Sequence, residues 1–103
     1  PLLERSLSLA KQQGDPGEIA AALYNLGRLH ADQGDRDQAA RHYRQAIRLV
    51  EARSGKDDAS LAMPLMGLAK LCAEDGDQRK AQAHMDRAMR LLKDSDRFQT
   101  TRH

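Results

Sequence analysis

A chain of 103 residues, 40 % apolar and 31 % charged, has the size of one modest domain and an ordinary balance for a soluble one. Its net charge of +2 is too small to mark a nucleic-acid binder, and no apolar run approaches the roughly 20 residues a membrane span needs. Cys72 stands alone and cannot form an internal disulfide, so nothing requires an oxidising compartment and a cytoplasmic location is expected. No signal peptide is visible, and the opening at Pro1 without Met suggests a segment of a longer protein.

The aromatics are Tyr24, Tyr43 and Phe98, so the core must come from Leu, Ala, Met, Ile and Val, which suits close-packed helices. In chain order the pattern predicts five helices. The first, over 2–13, carries Leu7 and Leu9 in the pattern of Ile47 and Leu49 and reads as half a repeat. Asp15-Pro16-Gly17-Glu18 is a strong start for the second, over 16–33: a carboxylate cap, Pro at the first helical position and Glu at the third. Leu23, Leu26 and Leu29 recur along it at helical spacing.

Gly34 stops that helix, and Asp35 caps the third, over 36–53, with Gln38 placed to complete a capping box. Ala39, Tyr43, Ala46, Ile47 and Val50 form its apolar stripe. A fourth helix is expected over 58–75. Pro64 would then lie inside it and remove a backbone donor, at about 3 kcal/mol, so a late start or a kink is expected. Gly76-Asp77 repeats the stop and the cap before a fifth helix over 78–93, with Lys80 where the box needs Glu or Gln. The tail 94–103 has only Phe98 as a large apolar residue and reads as loose.

Sliding the chain by 42 positions sets Leu23 on Leu65, Leu26 on Leu68, Gly34 on Gly76, Asp35 on Asp77, Ala39 on Ala81 and Ala46 on Ala88. Each copy is a pair of helices. The residues Leu23-x2-Leu26-Gly27-x2-His30…Ala39-x3-Tyr43, and Leu65-x2-Leu68-Ala69-x2-Cys72…Ala81-x3-Met85, resemble the tetratricopeptide repeat (TPR) family. The 42-residue period and the long linker GKDDASLA look like the kinesin-light-chain subtype, although Asp58-Ala59 stands where that subtype usually has His-Pro.

The resemblance implies an all-α solenoid of antiparallel helix hairpins over 1–93, with a half repeat at 1–15 and full repeats at 16–55 and 56–93. It implies protein–protein interaction, with the first helix of each pair lining a concave groove that holds a peptide. Carried over by position, the groove residues are Tyr24, Asn25, Arg28 and Asp32, then Met66, Lys70 and Glu74, beside Ala21, Ala31, Met63, Gly67 and Ala73. Asn25 matches an Asn that in the family bonds a peptide backbone, and Gly67 replaces it in the second copy. Tyr24, Arg28 and Asp32 fall on one helical stripe, and the alternative reading of that stripe is a solvated face.

Arg41, Arg44 and Arg48, continued by Arg87 and Arg90, form a basic stripe without the interleaved aromatics that stack bases, so a solvated convex face is expected over a contact with an acidic surface, and no nucleic acid is expected. His30, Cys72, His42 and His84 lack metal-ligand spacing, and no phosphate loop or nucleophile motif is present. No enzyme, metal or cofactor is expected, and His30 and Cys72 read as packing residues. Neither end has a polar cap: Leu3, Leu7 and Ala10 at one end and Met85, Met89 and Leu92 at the other make self-association the second expectation.

Overall fold

The computed structural model describes residues 16–100, with side chains over 17–94; the helix expected over 2–13 and the Asp15 cap lie outside them. Four α-helices follow in order: α1 (Pro16–Asp32), α2 (Arg36–Ser54), α3 (Ala62–Glu74) and α4 (Gln78–Thr100). No strand occurs among the described residues. The helices form two antiparallel hairpins, α1 on α2 and α3 on α4, joined through α2 against α3 and α1 against α3.

The two tight turns within the hairpins use the same physics. Gly34 has φ +83° and Gly76 φ +87°, a conformation open to glycine and costly for other residues. At the first turn the Gly34 amide donates to the Ala31 carbonyl (3.0 Å) and the Asp35 amide to the His30 carbonyl (2.8 Å). At the second, Gly76 donates to Ala73 (3.1 Å) and Asp77 to Cys72 (2.8 Å). This two-bond pattern is a Schellman stop. The next helix then starts on a carboxylate: Asp35 Oδ1 accepts from the Gln38 amide at 3.2 Å, and Asp77 Oδ1 from the Lys80 amide at 3.1 Å.

The capping box expected from Asp35 and Gln38 is thus only half made. The Asp35 amide, which Gln38 would have served, is already engaged by His30. At Pro64 the helix starts late. Asp58 Oδ1 accepts from both the Ser60 amide (2.9 Å) and the Ser60 hydroxyl (2.8 Å), and a 3-10 turn at Ala59–Leu61 precedes α3. Pro64 is then the third residue of α3, where its missing donor would have had no helical partner. Helix α4 runs to Thr100, past position 93, where the sequence reading ends it. Asp, Ser and Thr weaken a helix only slightly, and 94–100 contain no Gly or Pro to stop it.

Small residues sit at the helix contacts: Ala39, Ala46, Ala81 and Ala88 are all buried. Leu26, Leu61 and Leu65 are the largest side chains enclosed completely. The Tyr43 ring lies between the backbones of Gly27 on α1 and Gly67 on α3. A Cβ at Gly27 would stand 2.5 Å from Tyr43 Cε1, and one at Gly67 2.7 Å from Cε2. Helix α2 can therefore send a large side chain between α1 and α3.

Candidate functional site

That passage between α1 and α3 opens as a cleft of about 420 Å³. Tyr24, Arg28 and Asp32 line one wall, and Met66, Lys70 and Glu74 line the other. The walls follow from helical spacing: residues at i, i+4 and i+8 share a face, and the hairpin contacts turn these two faces toward each other. Asn25 does not line the cleft. It is exposed one position beyond Tyr24, about 100° further around α1. Ala21 belongs to an adjoining hollow of about 470 Å³, which shares Tyr24 and Met63 with the cleft and continues toward Asp58 and Pro64.

Three lining residues fell outside the groove positions carried over from the family: Tyr43, Leu71 and Met85. Tyr43 and Met85 are repeat equivalents on the second helix of each pair. For Tyr43 the signal is the pair of small residues opposite, Gly27 and Gly67, which leave its ring a path to the cleft. Gly67 stands in the place of Asn25 and makes room for the Tyr43 ring.

The Arg28 guanidinium lies over the Tyr24 ring, 5.9 Å from its centroid, a geometry in which the ring face attracts the cation. The Tyr24 and Tyr43 rings meet at 5.7 Å with a 36° tilt. Burial raises the Tyr43 phenol above its ordinary 10.0, and the neighbouring Tyr24 and Asp32 add to this while Arg28 opposes it. Tyr43 is therefore a neutral phenol at physiological pH, able to donate and accept. Among the described residues, Arg28, Asp32, Lys70 and Glu74 form no ion pair. The cleft thus presents both signs of charge around an apolar floor of Tyr43, Met66 and Met85.

Two ion pairs elsewhere link neighbouring helices. Arg87 donates to Glu51 Oε2 at 2.8 Å and to the Lys56 carbonyl at 3.3 Å, and Arg36 meets Asp75 at 3.2 Å. The His30 ring stacks on His42 at 5.0 Å and 16°. Its Nδ1 is buried without a hydrogen-bond partner, 4.0 Å from Asp35 Oδ2. Among the described residues no three His, Cys, Asp or Glu side chains come together as a metal site would need.

Helical hairpins of this repeat length, with a cleft lined by the first helix of each pair, define a class of repeat protein. The family profile described as tetratricopeptide repeat matches residues 1–52 and again 18–94, and the chain belongs to that family. Such repeats are in general protein–protein interaction modules and not catalysts. Over 52 residues, half of its length, the chain is 36 % identical to the response regulator aspartate phosphatase A of Bacillus subtilis (strain 168). That stretch covers 14 % of the relative, so the chain spans a small part of that protein's length. No helix among the described residues is long and apolar enough to cross a membrane.

Proposed function

We propose that the chain binds a segment of a partner protein in the cleft between α1 and α3. The observation that carries this reading is the set of four unpaired charges, Arg28, Asp32, Lys70 and Glu74, around the floor of Tyr43, Met66 and Met85. Solvated charges flanking desolvated aromatic and methionine surface favour a peptide with an apolar side chain and polar neighbours. Tyr24 and Arg28, held together by their ring contact, are the anchors. Asn25 contributes at most from the rim, since it does not line the cleft.

The 42-residue period supports the kinesin-light-chain-like division into repeats at 16–55 and 56–93. The likeness to a bacterial response regulator phosphatase supports a place in a larger regulatory protein, and the lone Cys72, unable to form an internal disulfide, fits a cytoplasmic location.

Peptide-library panning tests the reading, run beside a Tyr24→Ala/Arg28→Glu variant shown by circular dichroism to remain helical. An enriched motif that the variant loses is the expected result. Equal enrichment in both proteins, or none, overturns the reading.

A second reading, self-assembly as a scaffold, is favoured by one observation. Met89 and Leu92 on α4 are 56 % and 39 % exposed, apolar surface on a helix that no described element follows. Light scattering distinguishes it: a mass that rises with concentration supports assembly, and a constant monomer mass excludes it.

A further inference from the structure

The opposite side of the molecule carries a second cleft, of about 280 Å³, between α2 and α4. Its floor is apolar, made by Ile47 of α2 with Leu65 and Leu68 of α3. Its rim carries three guanidinium groups, Arg44 and Arg48 from α2 and Arg87 from α4, with the His84 ring beside them. We propose that this cleft is a docking site for an acidic segment of a partner protein, which inserts one aliphatic side chain and places carboxylates on the arginines.

The charge balance points to that partner. Arg44 and Arg48 stand one helical turn apart, exposed, and neither forms an ion pair among the described residues. The nearby carboxylate, Glu51, is held by Arg87 at 2.8 Å. Helix α3 brings only Leu65 and Leu68, so nothing from below offsets the positive rim. His84 registers the same field. Burial lowers its tendency to protonate, and Arg44, Arg87 and Lys80 lower it further. Guanidinium groups accept carboxylates through paired hydrogen bonds, so two free arginines a turn apart suit two acidic residues flanking an anchor.

Size and chemistry favour a protein segment over nucleic acid. The cleft lies just under the roughly 300 Å³ at which small-molecule pockets begin, room for one bulky side chain. A phosphate backbone would leave the leucine floor unused, and no Phe, Tyr or Trp is present to stack a base. The basic stripe, which reads in the sequence as a solvated face, thus acquires an apolar centre from Ile47 and the two α3 leucines.

The test uses a dye-labelled peptide of Glu and Ser with one central Leu, a sibling with Gly for Leu, and an oligothymidylate of equal charge, each followed by anisotropy. The Leu peptide is expected to bind saturably. The Gly sibling should bind about tenfold more weakly, since a buried leucine contributes on that scale. Arg44→Glu/Arg48→Glu, at exposed positions and checked for helicity, should weaken the Leu peptide about tenfold or more. Tyr24→Ala/Arg28→Glu, on the other face, should leave it unchanged, so this site and the α1/α3 cleft fail independently. In NMR, saturating peptide should move the His84 titration upward as carboxylates offset the arginines. Any of four results overturns the proposal: no saturable binding by about 1 mM peptide, equal binding of both peptides, oligothymidylate binding as tightly as the Leu peptide, or an unmoved His84.

Discussion

The ring of Tyr43, carried by α2, rests edge-on against the backbone of Gly67 on α3, where a Cβ would come within 2.7 Å of both Cε2 and Cζ. On the other edge Gly27 of α1 allows a comparable approach. The ring is thus held from both sides and cannot slide away from an added methyl group. The second repeat carries the corresponding pair as Ala69 and Met85, a larger small residue opposite a narrower, flexible side chain. One contact therefore joins the two hairpins and forms part of the floor of the α1/α3 cleft.

Substituting Gly67→Ala sets two effects against each other. Alanine gains about 1 kcal/mol over glycine in a helix interior. Overpacking against a clamped ring costs about 1–3 kcal/mol. With Tyr43 present the variant should lose about 1 kcal/mol, whereas in a Tyr43→Leu background the same change should be neutral or stabilising. Urea unfolding of the four proteins measures the coupling. An identical effect of the methyl group in both backgrounds would show that the ring can yield.

Tyr43 also makes the fold sensitive to alkali. Burial raises its folded-state pKa above the ordinary 10.0. A phenol whose pKa is raised in the folded state stabilises fully below the unfolded value and loses that contribution as pH climbs through the folded one. Stability should therefore fall above pH 10, and Tyr43→Phe should flatten the fall. Thermal melts from pH 8 to 11, with the phenolate absorbance followed in parallel, check both. An equal fall in the Phe variant would rule Tyr43 out as its source.

The parts of this architecture that were legible in the sequence are those specified by neighbours in the chain. The stops at Gly34 and Gly76 and the caps at Asp35 and Asp77 use groups within five residues, and they occur where the pattern places them. Pro64 allowed two local solutions, a kink or a late start, and packing of Leu61 into the core accompanies the second. The stripe Tyr24–Arg28–Asp32 follows from helical spacing alone. Tyr43, Leu71 and Met85 reach the cleft only through the angle between hairpins, which no single helix encodes. Asn25 was placed by family position, and the rotation of α1 turns it aside. The end of α4 lies beyond position 93 because polar composition alone does not stop a helix, and no Gly or Pro stands before Thr100 to do so.

Asp58 caps the 3-10 turn that leads into α3, and acid should release it. Two hydrogen bonds from Ser60, amide first and then hydroxyl, hold its carboxyl below the usual 3.8. A depressed folded pKa contributes stability that is present above the unfolded value and lost as pH falls through the folded one. The loss belongs below pH 3.8, and neutral pH leaves the cap intact. Asp58→Ala at neutral pH should cost about 1 kcal/mol, as for other helix-start caps, and should remove this part of the acid dependence. Hydrogen exchange at the Ser60 amide reports the cap directly. Unchanged protection there in the variant would assign the start of α3 to Leu61 packing instead.

The two ion pairs that join helices should differ in worth because their surroundings differ. Arg87 and Glu51 meet at 2.8 Å with side chains 32 % and 25 % exposed, and the same guanidinium nitrogen reaches the Lys56 carbonyl. Arg36 and Asp75 meet at 3.2 Å with 48 % and 58 % exposed. Water screens the second pair and competes for its hydrogen bonds, so Asp75→Asn should cost no more than about 0.5 kcal/mol. Glu51→Gln leaves a half-buried guanidinium without its counter-charge and should cost about 1–2 kcal/mol. Added salt should erase the effect of Asp75→Asn and preserve most of that of Glu51→Gln. Urea midpoints at low and high salt decide the matter: equal costs, or equal salt sensitivity, would mean that the Arg87 pair is as solvated as the Arg36 pair and does not tie α4 to the end of α2.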